Sequence, residues 1–313
     1  MSRTMVETAP SPMRSADRAG RFGLFEFGLY AITVFAWSTS WIALKVQLGV
    51  VAPEVSLVWR FSLSALFMWV WVIVARLPWR FPPMVHLRFV ALGALIFSTN
   101  FALFYYGGQE LASGLLSVVF SLASIFNLIL GALLFRTRIE GRVLVGGVLG
   151  FAGVALMFWP IIHGADFNGR AALGLGYCVA GTLSFCLGNM VSGANQRVGI
   201  PVLSANAWGM VYGTILLAIT AAAKGETFMI EPTARYLGSL AWLSFVSSGL
   251  AFWAYLTLLG RIGASRAGYT TVMFPVFALM ISTAFEGYQW SLAAILGLGF
   301  VLAGNLFVLR RGA

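Results

Sequence analysis

Neutral polar and aromatic side chains recur at helical spacing inside the long apolar stretches of this chain. Residues 37–41 read WSTSW, which places Trp37, Ser40 and Trp41 on one face of a helix. Indole rings offer apolar and stacking contacts, and hydroxyl groups offer hydrogen bonds. These residue types predict reversible contact with a small molecule that has both apolar and polar parts.

The other apolar stretches carry further side chains of the same neutral kinds. The complete set of candidate binding residues is Trp37, Ser40, Trp41, Asn100, Phe104, Ser121, Ser124, Phe185, Asn189, Ser248, Tyr255 and Thr271, and Pro275 is a candidate gating residue. Each has a plain structural alternative, because intramembrane hydroxyls often bond their own helix or allow close packing. An unpaired Asn is costlier in lipid, so Asn100 and Asn189 predict a cavity or a buried interhelical bond. For Trp37 the alternative is core packing.

Acidic and imidazole groups are missing from the middle of the apolar stretches. All ten acidic residues and both histidines lie in the N-terminal tail, in loops or at the ends of these stretches. No phosphate-binding glycine loop, paired metal-ligand motif or catalytic triad is visible. The sequence therefore predicts that the protein is not an enzyme, and it predicts no cofactor and no metal site.

Composition indicates an all-α integral membrane protein. Of the 313 residues, 60% are hydrophobic and 10% are charged, whereas a soluble chain carries roughly 25% charged residues. The charges separate apolar runs of about 20 residues, the length of a membrane-spanning helix. Ten transmembrane helices are predicted, at about 26–49, 54–75, 88–107, 112–135, 142–161, 171–192, 203–223, 235–259, 267–286 and 290–309.

The chain resembles itself in its two halves. When Ser113–Gly153 is shifted by 151 positions onto Ala264–Gly304, identical phenylalanine, leucine and glycine residues coincide. We expect a disordered cytoplasmic tail at 1–25, a first five-helix repeat at 26–161 and a second at 171–309. An odd number of helices per repeat makes the second repeat enter the membrane inverted.

Lysine and arginine predict the orientation. With the N-terminus placed inside, 15 of the 20 basic residues fall on the cytoplasmic side and 4 on the opposite side, while Arg60 lies within the second helix. Both termini are therefore expected in the cytoplasm. The scattered basic residues do not predict a nucleic-acid partner, although the net charge is +10. The oligomeric state stays open.

Three further features were interpreted as structural. Lys45 and Arg60, near the outer ends of their helices, are expected to reach the membrane surface or to pair with Glu54, with contact to a substrate carboxylate as the alternative. The spaced glycines of the fifth and tenth helices predict close helix packing and a scaffold role. Glu286 is expected at a helix boundary.

Several motifs resemble the EamA-type branch of the drug/metabolite transporter superfamily. These are residues 37–40 followed by Lys45, Arg60-Phe61, the segment 274–276 with Glu286, and the glycine spacing of the tenth helix. Within that superfamily the chain is most similar to bacterial aromatic amino-acid exporters. It departs from them by carrying Asn100, Phe104, Ser121, Ala123 and Ser124, where they have aromatic residues and proline, and Phe185, where a tryptophan is expected.

The resemblance implies export of amino acids or similar small metabolites across the bacterial inner membrane by alternating access. It places the substrate in a central cavity lined by the first, third, fourth, sixth, eighth and ninth helices. Without a carboxylate at mid-membrane, we expect gradient-driven or loosely coupled movement rather than tight proton symport. The alternatives are a multidrug or other metabolite exporter of the same fold, and a membrane receptor or scaffold that transports nothing.

Overall fold

The computed structural model describes residues 23–135, 141–163, 169–255, 257–258 and 270–309. Within these ranges the regular structure is entirely helical, and ten helices are seen. Their bounds are α1 Leu24–Val46, α2 Pro53–Val74, α3 Pro83–Glu110, α4 Ser113–Leu134, α5 Gly141–His163, α6 Gly169–Arg197, α7 Val202–Ala223, α8 Ala234–Tyr255, α9 Thr270–Glu286 and α10 Leu292–Leu309.

The predicted all-α membrane architecture is confirmed. Eight of the helices are long and apolar enough to cross a bilayer, and Val272–Glu286 and Leu292–Phe307 are shorter apolar helices. Large apolar side chains also cover the outside of the bundle, for example Leu66 and Ile73 on α2. In lipid this surface needs no further partner. Most of the predicted tail, 1–22, lies outside the described residues.

Two helices contain a π-helical segment, Gly93–Asn100 in α3 and Trp242–Leu250 in α8. These segments occupy equivalent places in the two halves of the chain. Such segments add a residue to the helical turn and are frequent at functional sites. In α4 the helix is interrupted at Leu122, which separates Ser113–Ser121 from the segment that begins at Ala123.

Helix packing has a two-fold pattern. Helices α2 and α7, α4 and α9, and α5 and α10 pack against each other. The contact of α1 with α8 has its counterpart in that of α6 with α3, and the contact of α1 with α9 in that of α6 with α4. Each contact in this set is therefore matched by the contact between the two helices that lie five places away along the chain. This pattern is the one expected of two five-helix repeats, whose boundaries stay a prediction.

The α5–α10 pair packs backbone against backbone. A Cβ atom added to Gly153 would lie 2.5 Å from the Gly297 carbonyl oxygen, and one added to Gly304 would lie 2.5 Å from the Gly146 carbonyl oxygen. Only glycine allows this separation at these positions. The close packing predicted from the glycines of these two helices is confirmed at Gly153, Gly297 and Gly304, but not at Gly299, where an added Cβ atom would meet nothing within 4 Å.

Candidate functional site

Seven aromatic rings meet in the middle of the bundle. They come from the six helices that the resemblance implies as the lining of a cavity, namely α1, α3, α4, α6, α8 and α9. The rings are Trp37, Trp41, Phe104, Phe120, Phe185, Tyr255 and Phe274, and we call them the aromatic centre.

Trp41 is the hub of the aromatic centre. Its ring centroid lies 5.2 Å from that of Phe104, 5.6 Å from that of Phe120 and 6.4 Å from that of Phe274. The ring of Phe274 is nearly parallel to it, whereas that of Phe104 meets it edge to face. Aromatic pairs at such distances attract each other beyond their burial. Trp41 therefore joins α1 to α3, α4 and α9.

Trp37 and Phe185 lie at the edges of the aromatic centre. The Trp37 ring lies 5.1 Å from that of Tyr255 and 6.4 Å from that of Phe274. The Phe185 ring lies 4.9 Å from that of Phe120. These two pairs contain the partly exposed rings, Trp37, Tyr255, Phe185 and Phe120, whereas the other three rings are buried. A bound molecule can reach the partly exposed rings with the smallest rearrangement.

Asn100 stands one helical turn before Phe104 and is 2% exposed. Its amide nitrogen donates to the Ile96 carbonyl at 3.4 Å, and its side-chain oxygen has no hydrogen-bond partner. A buried unpartnered acceptor costs about 1–3 kcal/mol. Asn100 therefore brings a free acceptor next to the aromatic centre, at the end of the π-helical segment of α3.

Asn189 makes an interhelical hydrogen bond. Its amide nitrogen donates to the Asn127 side-chain oxygen at 3.3 Å, which links α6 to α4. Both side chains are partly exposed. Of the two outcomes expected for this residue, the structure has the interhelical bond, which is only partly buried.

Ser121 and Ser124, the two predicted binding serines of α4, face α10. The Ser121 hydroxyl donates to the Val118 carbonyl at 2.7 Å, and the Ser124 hydroxyl donates to the Ser121 carbonyl at 3.2 Å. Asn305 of α10 is fully buried against both hydroxyls. The structure thus places Ser121 and Ser124 on the scaffold side of α4, away from the aromatic centre.

Of the remaining candidates, two serines form hydrogen bonds within their own helices and Pro275 is buried. The Ser40 hydroxyl donates to the Trp37 carbonyl at 2.7 Å, and the Ser248 hydroxyl donates to the Leu243 carbonyl at 3.0 Å, so both bond their own helix. Pro275 is buried within α9. The side chain of Thr271 lies outside the described residues.

A polar link joins α1 to the turn of α9 that contains Pro275. The Ser38 hydroxyl lies 2.6 Å from the Val34 carbonyl and 3.2 Å from the Phe274 carbonyl. Proline has no N–H, so it leaves one carbonyl of the preceding turn without its usual helical donor. Any bend of α9 at Pro275 therefore acts on α1 through Ser38 and through the ring contacts of Phe274.

Four residues outside the predicted set lie in the aromatic centre or bond to predicted site residues: Phe120, Asn127, Phe274 and Asn305. The sequence holds a signal for two of them. Asn127 and Asn305 are amides inside the apolar runs of α4 and α10. An intramembrane amide needs a partner, which helix spacing alone does not identify.

A second polar region lies where α1 ends, and we call it the Lys45 end. It contains a cavity of about 680 Å³ lined by Ile42, Lys45, Val46, Glu110, Leu111, Ala112, Arg235, Phe285 and Glu286. Acidic and basic side chains thus face one space, together with apolar ones. Such a site suits a molecule that carries both signs of charge.

Two charged side chains hold the turn between α3 and α4 at this end. The Lys45 ammonium donates to the carbonyls of Gly108 and Leu111, the latter at 2.9 Å. The Glu286 carboxylate accepts from the Ser113 backbone N–H at 3.0 Å and from its hydroxyl. A cation at a helix C-terminus and an anion at an N-terminus both complement the helix dipole.

The expected pairing of Lys45 or Arg60 with Glu54 is wrong. Glu54 accepts from Lys224 at 2.5 Å and from the Tyr106 hydroxyl. Lys224, which lies beyond the end of α7, also donates to the Tyr106 hydroxyl at 2.6 Å, and its hydrogen bonds to Glu54 and Tyr106 raise its pKa. Lys45 instead binds the end of α3. Arg60 does not reach the surface, because it is 3% exposed.

Comparisons with known proteins agree with this architecture. The model of the EamA-like transporter family matches residues 25–159 and again residues 172–310. An uncharacterized transporter of Archaeoglobus fulgidus is 28% identical over 90% of this chain and 97% of its own. A probable amino-acid metabolite efflux pump of Escherichia coli is 26% identical over 90% and 95%.

A solved crystal structure shares the fold. It covers 90% of this chain and 95% of its own, with a TM-score of 0.65 and 15% sequence identity. At this identity the similarity speaks for the fold alone.

Proposed function

Because this chain belongs to the EamA-like transporter family, we propose that it exports neutral amino acids, aromatic ones among them, or similar small metabolites. The observation that carries this proposal is the aromatic centre, where Trp41 contacts rings from three other helices. Faces of indole and phenyl rings suit an aromatic or large apolar side chain. The unpartnered oxygen of Asn100 suits the ammonium group of an amino acid.

In this proposal the two halves rock around the aromatic centre in alternating access. The partly exposed rings, Trp37, Phe120, Phe185 and Tyr255, are the first that the substrate contacts. A bend at Pro275 moves α9 and, through Ser38 and Phe274, also α1. The charged cavity at the Lys45 end receives the zwitterion as it leaves, and its charges of both signs complement the carboxylate and the ammonium.

The distribution of basic residues supports a bacterial inner-membrane location with both termini in the cytoplasm. The Lys45 end then faces the periplasm. All acidic residues lie at helix ends, in loops or in the tail, so transport is expected to follow the substrate gradient. Purified protein in liposomes should therefore move substrate without an imposed ion gradient.

Counterflow in liposomes tests the proposal. Vesicles are loaded with unlabelled amino acid and supplied with labelled amino acid outside, for the wild type and Trp37→Ala. Loss of the Trp37 ring contacts with Tyr255 and Phe274 should reduce uptake about tenfold, which corresponds to about 1.4 kcal/mol. Trp208→Ala is the matched control. Trp208 lies on α7, outside the aromatic centre, and its ring packs with those of Trp69 on α2 and Tyr212 on α7.

If the wild type shows counterflow with none of the twenty amino acids, the result would count against amino-acid export and in favour of a drug or metabolite exporter. Equal uptake by the wild type and Trp37→Ala would retain the function and remove the aromatic centre as its site.

A further inference from the structure

Arg60 is a buried charge in the membrane-spanning part of the bundle. It is the eighth residue of α2, which begins at Pro53, about 10 Å along the helix from that end. Its exposure of 3% shows that the side chain does not extend to either surface. Burial at this depth is unusual for arginine and marks a functional position more often than not.

The surroundings of the guanidinium are aromatic. Its central carbon lies 4.6 Å from the centroid of the Phe101 ring and 5.4 Å from that of the Phe61 ring. The Tyr105 hydroxyl lies beside it, one helical turn beyond Phe101. The Arg60 backbone carbonyl accepts from the Ser64 hydroxyl at 2.8 Å. The guanidinium is therefore enclosed by side chains of α2 and α3.

Two buried donors beside Tyr105 have no acceptor. The Arg60 Nε atom and the Gln47 side-chain nitrogen are both buried without a hydrogen-bond partner. Gln47 follows directly after α1 and is 1% exposed. Its side-chain oxygen accepts from the Tyr105 hydroxyl at 2.5 Å, which fixes the amide nitrogen on the other side of the group. One phenol thus holds both residues in place and leaves their N–H groups free.

The positive charge is not balanced by the protein. Among the described residues, no carboxylate lies within ion-pair distance of the Arg60 guanidinium, and the nearest acidic residue on its own helix, Glu54, is bonded to Lys224 and Tyr106. A guanidinium keeps its proton in proteins. Aromatic faces attract a cation but offset only part of the cost of burying it. A bound anion would supply both the missing charge and the missing acceptor.

We propose that Arg60 and Gln47 form a binding site for a small monovalent anion, between α2, α3 and the end of α1. The ligand is a chloride ion or the carboxylate of a transported molecule, since either accepts N–H bonds from both donors. The site lies behind α3, because Phe101 and Tyr105 face it while Asn100 and Phe104, on the neighbouring face, belong to the central site. Occupancy of the site therefore sets the position of the helix that contacts Trp41.

Thermal unfolding of the purified full chain in detergent tests this inference. Chloride is titrated at constant ionic strength against gluconate, whose polyol chain is too large for a buried site. The unfolding midpoint of the wild type should rise by about 4 °C as chloride saturates the site. In Arg60→Gln the rise should disappear. Arg80→Gln should keep it, because Arg80 is an exposed arginine that lies over the ring of Trp79.

A second variant keeps the test decisive if Arg60→Gln does not fold. Gln47→Glu places a carboxylate beside the guanidinium and preserves the acceptor for Tyr105. In gluconate this variant should match or exceed the midpoint of the wild type in chloride, and chloride should not raise it further. A midpoint below that of the wild type in both salts would overturn the proposal.

The two sources of the anion are separated without chloride. L-phenylalanine and phenethylamine, which lacks the carboxylate, are added to the protein in gluconate. A rise of the midpoint with L-phenylalanine alone, lost in Gln47→Glu, identifies a substrate carboxylate, and a rise with chloride alone identifies the free ion. If neither chloride nor L-phenylalanine changes the wild-type midpoint, the anion site is refuted, whatever the outcome of the counterflow assay.

Discussion

The α5–α10 pair and the aromatic centre are both buried between helices, but their contacts are of opposite kinds. In the pair, glycine brings backbone to backbone, and a single added carbon at Gly153 would lie 2.5 Å from the Gly297 oxygen. In the aromatic centre, ring centroids stand 4.9 to 6.4 Å apart at angles between nearly parallel and nearly perpendicular. Backbone contacts have one arrangement, whereas rings can turn and slide past each other. The comparison separates a rigid frame from a part that can open.

Gly153→Ala should have the largest effect on stability. The new methyl group would meet backbone atoms that cannot rotate away, so the two helices must separate. Overpacking of this kind costs about 2–3 kcal/mol. The unfolding midpoint in detergent should fall by several degrees. Transport per folded molecule should stay near that of the wild type, because the aromatic centre is not involved.

Gly299→Ala is the matched control for that experiment. Gly299 lies on α10 as Gly297 does, but a Cβ atom added there would meet nothing within 4 Å. This variant should be neutral or slightly more stable, since alanine favours a helix over glycine by up to about 1 kcal/mol. Equal losses for Gly153→Ala and Gly299→Ala would contradict the rigid-frame interpretation.

Trp41→Phe should have the opposite effect to Gly153→Ala, with a loss of transport rather than of stability. A phenyl ring keeps an apolar side chain in the aromatic centre, so we expect the midpoint to change little. The smaller ring no longer spans Phe104, Phe120 and Phe274 together, and the initial counterflow rate should fall about tenfold, or about 1.4 kcal/mol. Trp242→Phe on α8 serves as the control, because Trp242 contacts Phe35 and Thr39 outside the aromatic centre. A large loss of stability without a loss of transport would place Trp41 in the frame.

Glu286→Gln tests whether the Lys45 end belongs to the frame. The neutral amide accepts the Ser113 bonds less strongly and no longer complements the N-terminus of α4, so stability should fall by about 1 kcal/mol. The unfolding midpoint measures this loss. Glu226→Gln is the control, since Glu226 is exposed in the loop after α7. A midpoint unchanged from the wild type would show that the turn between α3 and α4 is held by Lys45 and packing alone.

The sequence predicted the frame better than the site. Long apolar runs identify helices in a bilayer because every backbone group must bond within its own segment. Repeated glycines identify α5 and α10 as a close pair because few other residues permit backbone contact. Both signals are local, so they could be read without knowing the partner helix.

Site partners depend on three-dimensional arrangement, which spacing does not contain. Ser121 and Ser124 share a helix face, but only the position of α10 shows that this face meets Asn305. Glu54 had several basic residues within plausible reach, and the geometry of the loop after α7 gives it Lys224. Arg60 was expected at the surface because its distance from a helix end is short. Its burial follows from the rings of α3 that cover it.

Lys224→Met should have the smallest effect, because the Lys224 side chain is 47% exposed and water screens its pairing with Glu54. At neutral pH we expect the wild type to be more stable than the variant by about 0.5 kcal/mol. Hydrogen bonds to Glu54 and Tyr106 raise the pKa of Lys224 in the folded state. The contribution is therefore fully present below the unfolded-state value of about 10.4 and is lost as the pH rises through the folded-state pKa. Unfolding midpoints of both proteins between pH 7 and pH 11 measure the difference, which should stay constant up to about pH 10 and shrink above it. A difference that vanishes by about pH 8 would mean that Lys224 does not keep its charge through this pair.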